Sequence, residues 1–252
     1  FQRPDFPLAQ IMVAGIYEGD DRLEKSNAVY AAIDPASPFS WSARMRIAMN
    51  LNRLDKAEEA VALLSQMARE ATDDPAPLVN LGDIQRGKED FAGAVESYDG
   101  AMARVERVER RHWSLLYSRG IALERSKQWA RAETDFLKAL ELEPDQPYVL
   151  NYLGYSWVDQ GANLKRATGM IEKAVELRPR DGFIVDSLGW AYFRLGDYAG
   201  AVRELERAVE LRPQDPVIND HLGDAYWMVG RRLEAQFQWR RALALEPEPN
   251  IA

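Results

Sequence analysis

The chain has 252 residues, a formal charge of −8 and a pI near 5.0, with no cysteine and two histidines, His112 and His221, far apart in sequence. Those totals argue against disulfides, thiol catalysis, cysteine–zinc sites and a histidine metal cluster. The acidic balance argues against a nucleic-acid or anionic-membrane surface. No apolar run approaches the roughly 20 residues of a membrane span, so no membrane insertion by this chain is expected. A hydrophobic content of 46% with 29% charged residues fits a packed soluble protein.

Residues 1–6 read as a lead-in from a preceding part of a longer or processed chain. From residue 7 onward Ala14, Tyr17, Tyr30 and Pro38 fit the frame of a helix pair that later segments state more strongly. A second frame starts near 41, in "WSARMRIAMNLNRLDKAEEAVALL", with Ala48 and Ala60 at its small positions. A third starts near 75 and carries Gly82, Phe91, Ala94, Tyr98 and Ala101, with Glu106 where a proline is expected. This frame is four residues too long. The excess falls in "RVERVERRH", 104–112, and is expected to extend the second helix by one turn, with Glu106 and Arg110 paired on a solvated face.

Four further frames start near 113, 147, 182 and 216. Their glycines, Gly120, Gly154, Gly189 and Gly223, are spaced 34, 35 and 34 apart, and Pro144, Pro179, Pro213 and Pro247 follow each at 24 or 25 residues. Alanines recur in step at Ala132 and Ala139, Ala167 and Ala174, Ala201 and Ala208, and Ala235 and Ala242. Apolar residues three and four apart, as in "AVRELERAVEL", predict amphipathic helices. Glycine or polar residues end the first helix of each frame, and proline ends the second. A fixed period of this length predicts a repeat array.

The small residue, the aromatic three later, the Gly196–Asp197–Tyr198 turn and the trailing alanines and proline resemble the tetratricopeptide repeat (TPR) family. The resemblance implies an all-α fold: a right-handed α-solenoid of about seven stacked helix-turn-helix units over 7–252, the first three degenerate. It also implies a concave groove lined by the first helix of each unit, where a protein or peptide partner lies. The family frame places Tyr117 and Arg125 of the fourth unit in that groove, and Tyr148, Asn151, Tyr155 and Asp159 of the fifth. Phe183, Asp186, Trp190, Phe193 and Arg194 follow from the sixth, and Asp220, Asp224 and Trp227 from the seventh. Trp157 and Tyr192 take core positions. Asn151, Asp186 and Asp220 occur at one position in successive units and are expected to form a polar ladder, either solvated or meeting a ligand's N–H groups or basic side chains.

The lysine–asparagine clamp of the chaperone-tail receptors is absent, since Tyr117 and Ile121, or Asn151 and Tyr155, stand in its places. "LNYLGYSWVDQG", "DSLGWAYFRLGDYAGAV" and "INDHLGDAYWMVGRRLEA" are similar to the C-terminal repeats of large bacterial TPR proteins. Some of those are outer-membrane lipoproteins that serve as adaptors for a periplasmic carboxyl-terminal processing protease. The similarity implies a bacterial scaffold, periplasmic or attached to the outer membrane through a preceding segment, otherwise cytoplasmic. No cofactor, metal or catalytic residue is expected; Asp20–Asp21 and Asp73–Asp74 read as turn or helix-start residues. The alternative is a structural module that self-associates through its terminal repeats, since the last helix carries Phe237 and Trp239 and the chain closes on "LEPEPNIA" with no polar capping helix.

Overall fold

A computed structural model describes residues 6–245; part of the expected lead-in, Pro247 and the closing "EPEPNIA" lie outside the described residues. The described residues form an all-α helical repeat solenoid, and its helices come in consecutive antiparallel pairs. They are α1 (Pro7–Gly19) with α2 (Leu23–Ala31), α3 (Ser40–Arg53) with α4 (Ala57–Glu70), and α5 (Ala76–Gly87) with α6 (Phe91–Ala103). Next come α7 (Trp113–Arg125) with α8 (Trp129–Leu142), and α9 (Pro147–Asp159) with α10 (Leu164–Leu177). The last are α11 (Gly182–Leu195) with α12 (Tyr198–Leu211) and α13 (Pro216–Met228) with α14 (Arg232–Ala244). The chain divides into two compact units, Phe1–Asp135 and Phe136–Ala252.

The turn inside each pair follows one backbone rule. At one equivalent place in each pair a residue adopts a positive φ: Asp21, Asp55, Glu89, Lys127, Gly161, Gly196 and Gly230, with Asn163 before α10 a further one. The equivalent places have spacings of 34, 34, 38, 34, 35 and 34, which repeat the period of the sequence. The left-handed region costs a side-chain-bearing residue roughly 1–2 kcal/mol, so glycine fits only the last three turns without strain. After the turn an acidic side chain starts the second helix: Asp90 accepts from Gly93 N at 3.0 Å and Asp197 from Gly200 N at 2.9 Å. Between pairs, Asp181 and Asp215 cap α11 and α13 in the same way, and Pro147 and Pro216 occupy first-turn positions with no N–H to satisfy.

Within a pair the helices meet where the sequence places a small residue. A Cβ on Gly82 would lie 2.6 Å from the Tyr98 ring, one on Gly154 2.7 Å from Ile171, one on Gly189 2.5 Å from Leu205, and one on Gly223 2.5 Å from Trp239. The periodic alanines of the second helices, among them Ala94, Ala132, Ala167, Ala201 and Ala235, are fully buried. Between them sit the large core side chains Tyr98, Phe136, Ile171 and Leu205, with Trp157 from α9. In these four pairs the core is built on a small-against-large contact.

The first unit also holds buried polar bonds. Asn50 Nδ2 donates to Glu18 Oε1 and Asn27 Oδ1, each at 2.9 Å, and Arg46 also binds Glu18. Trp41 Nε1 donates to Asp74 Oδ2 at 2.8 Å, while Asp74 Oδ1 accepts from Ala76 N, which is the helix-start role expected of Asp74. Arg119 makes a two-pronged pair with Asp135 at 2.7 Å and reaches Asp99 at 3.0 Å.

The expected one-turn extension over 104–112 does not occur. Helix α6 stops at Ala103 because Arg104 turns back to the end of α4, donating to Ala68 O, Ala71 O and Asp74 O at 2.8–2.9 Å. Those carbonyls have no partner within their own helix, and the guanidinium satisfies three acceptors at once. The rest of the insertion ends in a short 3-10 turn, Arg110–His112, closed by reciprocal bonds between Glu109 and His112.

Three glycine-to-alanine variants separate these constraints in denaturant titrations followed by circular dichroism. Gly196→Ala meets no atom within 4 Å and is strained only through its φ of +84°, so it should lose about 1 kcal/mol. Gly189→Ala meets Leu205, including its backbone N at 3.2 Å, and should lose about 1–3 kcal/mol. Gly169→Ala lies inside α10 with nothing within 4 Å and should gain up to about 1 kcal/mol.

Candidate functional site

Two of the residues expected in the groove, Tyr117 and Arg125, lie on α7 in the first unit. Tyr117 packs beside Trp113 with ring centres 6.4 Å apart, and the Arg125 guanidinium sits 4.9 Å from the Phe91 ring centre. The other twelve lie in the second unit on α9, α11 and α13, the first helices of three successive pairs.

Three of these rings project from the packing. Tyr148 is 42% exposed, Phe183 48% and Trp227 46%. Tyr148 and Phe183 stand at equivalent places at the starts of α9 and α11, each beneath an arginine that follows the second helix of its own pair. The Arg178 guanidinium is 5.8 Å from the Tyr148 ring centre and that of Arg212 is 4.2 Å from the Phe183 ring centre. Trp227 stands at the end of α13, tilted against Trp239 at 5.7 Å, with Arg232 5.2 Å from its ring.

Trp190 is different. Its ring is stacked between Phe193, at 4.8 Å and 6°, and His221, at 4.2 Å and 14°. Phe193 in turn meets Tyr198 edge-on at 5.4 Å. Trp190 and Phe193 therefore join α11 to α12 and α13 as well as bordering the surface.

The Asn151–Asp186–Asp220 ladder does not form as expected. Asp186 is only 6% exposed, and His221 Nδ1 donates to its two carboxylate oxygens at 2.9 and 3.2 Å. The Asn151 Oδ1 is buried without a hydrogen-bond partner. Asp220 is half-buried one turn before Asp224, which accepts from Trp239 Nε1 at 3.2 Å. Asp159 is exposed at the end of α9, and its backbone carbonyl accepts from Arg194 at 3.2 Å. The second histidine is thus the residue that sequence reasoning missed. Its signal was its distance from Asp186, 35 residues, which is one repeat plus one and puts the two on facing sides of adjacent first helices.

The electrostatics follow from burial. For His221, burial alone would lower the pKa, but the Asp186 carboxylate, with Asp220 and Asp224 on its own helix, outweighs it and raises the value. Asp220 is pushed up by burial and by Asp224, and Asp224 by burial. Burial, helped by the charges of Asp186 and Asp159, pushes the Tyr155 phenol up to about 12. The imidazole thus sits against the Asp186 carboxylate, and among the described residues no group of three or more histidine, aspartate or glutamate side chains is placed to hold a metal ion.

Residues 113–146 match the family model described as tetratricopeptide repeat, and residues 189–230 match one described as TPR repeat. The chain carries tetratricopeptide repeats. No curated protein matches it. Among solved structures, a tetratricopeptide repeat protein from Parabacteroides merdae superposes with a TM-score of 0.71 at 17% identity, over 97% of this chain and 95% of that one. The anaphase-promoting-complex hetero-tetramer Cut9–Hcn1 gives 0.77 at 16% identity, over 98% of this chain but 47% of that one. YrrB, described as a TPR protein with an unusual peptide-binding site, gives 0.56 at 19% identity, over 75% and 94%. These likenesses establish the fold.

The histidine–aspartate pair sets a pH dependence. With its folded pKa raised, His221 contributes stability that is full below about 6.5, the value of a free imidazole, and is lost as pH rises through the folded value. The raised values of Asp220 and Asp224 act in the same direction at lower pH. Thermal melts followed by tryptophan fluorescence should show a higher Tm near pH 5.5 than near pH 8.5. His221→Gln should remove most of that difference, leaving His112 as the control.

Proposed function

We propose that the second unit is a recognition surface for an extended peptide segment or partner helix, held by Tyr148, Phe183 and Trp227. Tetratricopeptide repeats serve in general as non-catalytic scaffolds for protein–protein interaction, and that much follows from the fold. The observation carrying the finer reading is that these three rings remain 42–48% exposed while the equivalent small residues and alanines are buried. Burying one such ring contributes roughly 1.5–3 kcal/mol. Three rings together supply at most roughly 4.5–9 kcal/mol before ordering costs, and the peptide's other contacts supply the rest of the about 8 kcal/mol net that micromolar binding needs. Trp190 and His221 act as the rigid backing. The similarity of the last repeats to those of protease adaptors makes a carboxyl-terminal processing protease the partner class for this proposal, with the scaffold acting as its adaptor.

Self-association is the second reading. It is supported by Leu233 and Phe237, 79% and 61% exposed and one turn apart on α14, where α12 carries Ala199 and Arg203.

Selection of a phage-displayed peptide library on the immobilised chain tests the recognition surface. Selected peptides should bind the wild type at about micromolar Kd and a Phe183→Ala, Trp227→Ala variant at least about tenfold more weakly, with the variant's helicity unchanged. Equal binding to both would remove these rings from the surface. Enrichment of nothing, together with sedimentation that rises with concentration and is reset by Phe237→Glu, would favour self-association.

A further inference from the structure

The loops between pairs in the second unit hold an unusual concentration of unpaired positive charge. Arg178, Arg180 and Arg212 are all exposed and line one open cleft of about 440 Å³ together with Leu177, Pro179 and Asp181. Arg212 also lines the adjoining cleft of about 320 Å³, with Leu211, Pro213, Gln214 and Asp215. Several arginines of this chain have a carboxylate beside them, as Arg119, Arg131 and Arg231 do. Among the described residues none of these three is paired with one. The carboxylate in the first cleft, Asp181, is committed to the start of α11, accepting from Phe183 N at 3.1 Å and Ile184 N at 3.5 Å. Asp215 does the same for α13, accepting from Ile218 N at 3.1 Å. In a protein with eight more acidic than basic residues, an unneutralised arginine cluster is not explained by overall charge.

The cluster is also held in place. The stem of Arg212 fills the space beside Gly182, where a Cβ would meet its Cγ at 2.5 Å. That places its guanidinium over the Phe183 ring, as Arg178 lies over Tyr148. Arg207 fixes the loop from the other side by donating to Pro179 O, and Arg241 does so for the next loop by donating to Pro213 O at 2.8 Å. A guanidinium stacked on a ring uses its face and leaves its in-plane N–H donors free. Those donors match a carboxylate in the two-pronged geometry that arginine favours.

We infer that this edge takes an acidic peptide segment, with glutamate or aspartate carboxylates on Arg178 and Arg212 and apolar side chains against Tyr148 and Phe183. This deepens the recognition reading and rests on it, since Tyr148 and Phe183 belong to both. The two arginine–ring sets repeat with the pairs. Contacting helices lie about 8–10 Å apart, and an extended chain advances about 3.3 Å per residue with side chains alternating, so carboxylates two residues apart share one side and their side chains span the rest. Three cations are too few for a nucleic-acid backbone, which favours a peptide.

Fluorescence polarisation on the full chain tests this with a labelled octapeptide carrying two glutamates two residues apart, flanked by leucines. Saturable, salt-sensitive binding is expected, about tenfold weaker for the glutamine counterpart and for an Arg178→Gln, Arg212→Gln variant. Arg180→Gln, which removes a side chain with no contact of its own, should weaken binding several-fold without touching the fold. Equal binding of the glutamate and glutamine peptides, unchanged binding by Arg180→Gln and the double variant, or displacement by a single-stranded oligonucleotide at equal concentration would overturn the inference. If library-selected peptides lack acidic residues yet still depend on Phe183, the acidic specificity fails while the recognition surface stands.

Discussion

Four of the helix pairs depend on one close approach: a glycine on the first helix against a large side chain on the second. Gly82 against Tyr98, Gly154 against Ile171, Gly189 against Leu205 and Gly223 against Trp239 leave no room for a Cβ without movement. That contact fixes how the two helices face each other, and with it which residues of the first helix turn inward and which remain on the surface. Tyr148, Phe183 and Trp227 are exposed because the inward positions of their helices are already filled. The surface is thus a consequence of the core, built without a cleft enclosed by the fold.

The second unit combines rigidity with exposure. The stack of Phe193, Trp190 and His221 ties two pairs together, and the Asp186–His221 bond closes it from below. Rings that bind a partner gain when they need no ordering on contact, because the entropy of fixing them has already been lost in folding. The first unit reaches comparable order by another route, through Glu18, Asn50, Arg46, Trp41 and Asp74, and its turns keep side-chain-bearing residues at positive φ.

The period, the helix pairs and the buried alanines were legible because each arises from a local requirement that recurs at fixed spacing. Glycine at the left-handed turn was visible only in the last three pairs, since Asp21, Asp55, Glu89 and Lys127 accept the same conformation with strain. The insertion at 104–112 was misread because helical continuity is the local preference of "RVERVERRH". The bonds of Arg104 to the carbonyls of Ala68, Ala71 and Asp74, at and just beyond the end of α4, come from residues 30–36 positions away and override it. The aromatic positions on α9, α11 and α13 were legible from the frame. The division between projecting rings and stacked ones was not, because it depends on His221 and on the arginines that follow the second helices. Asp186 likewise reads as a surface carboxylate until its partner from the next pair is known.

A crystal structure of the full chain with a library-selected peptide is the most direct test. The physical reading places the peptide against Tyr148, Phe183 and Trp227, with Trp190 still stacked between Phe193 and His221. A peptide seated on α7, on α14 or on the opposite faces of these helices, with the three rings uncovered, would contradict it.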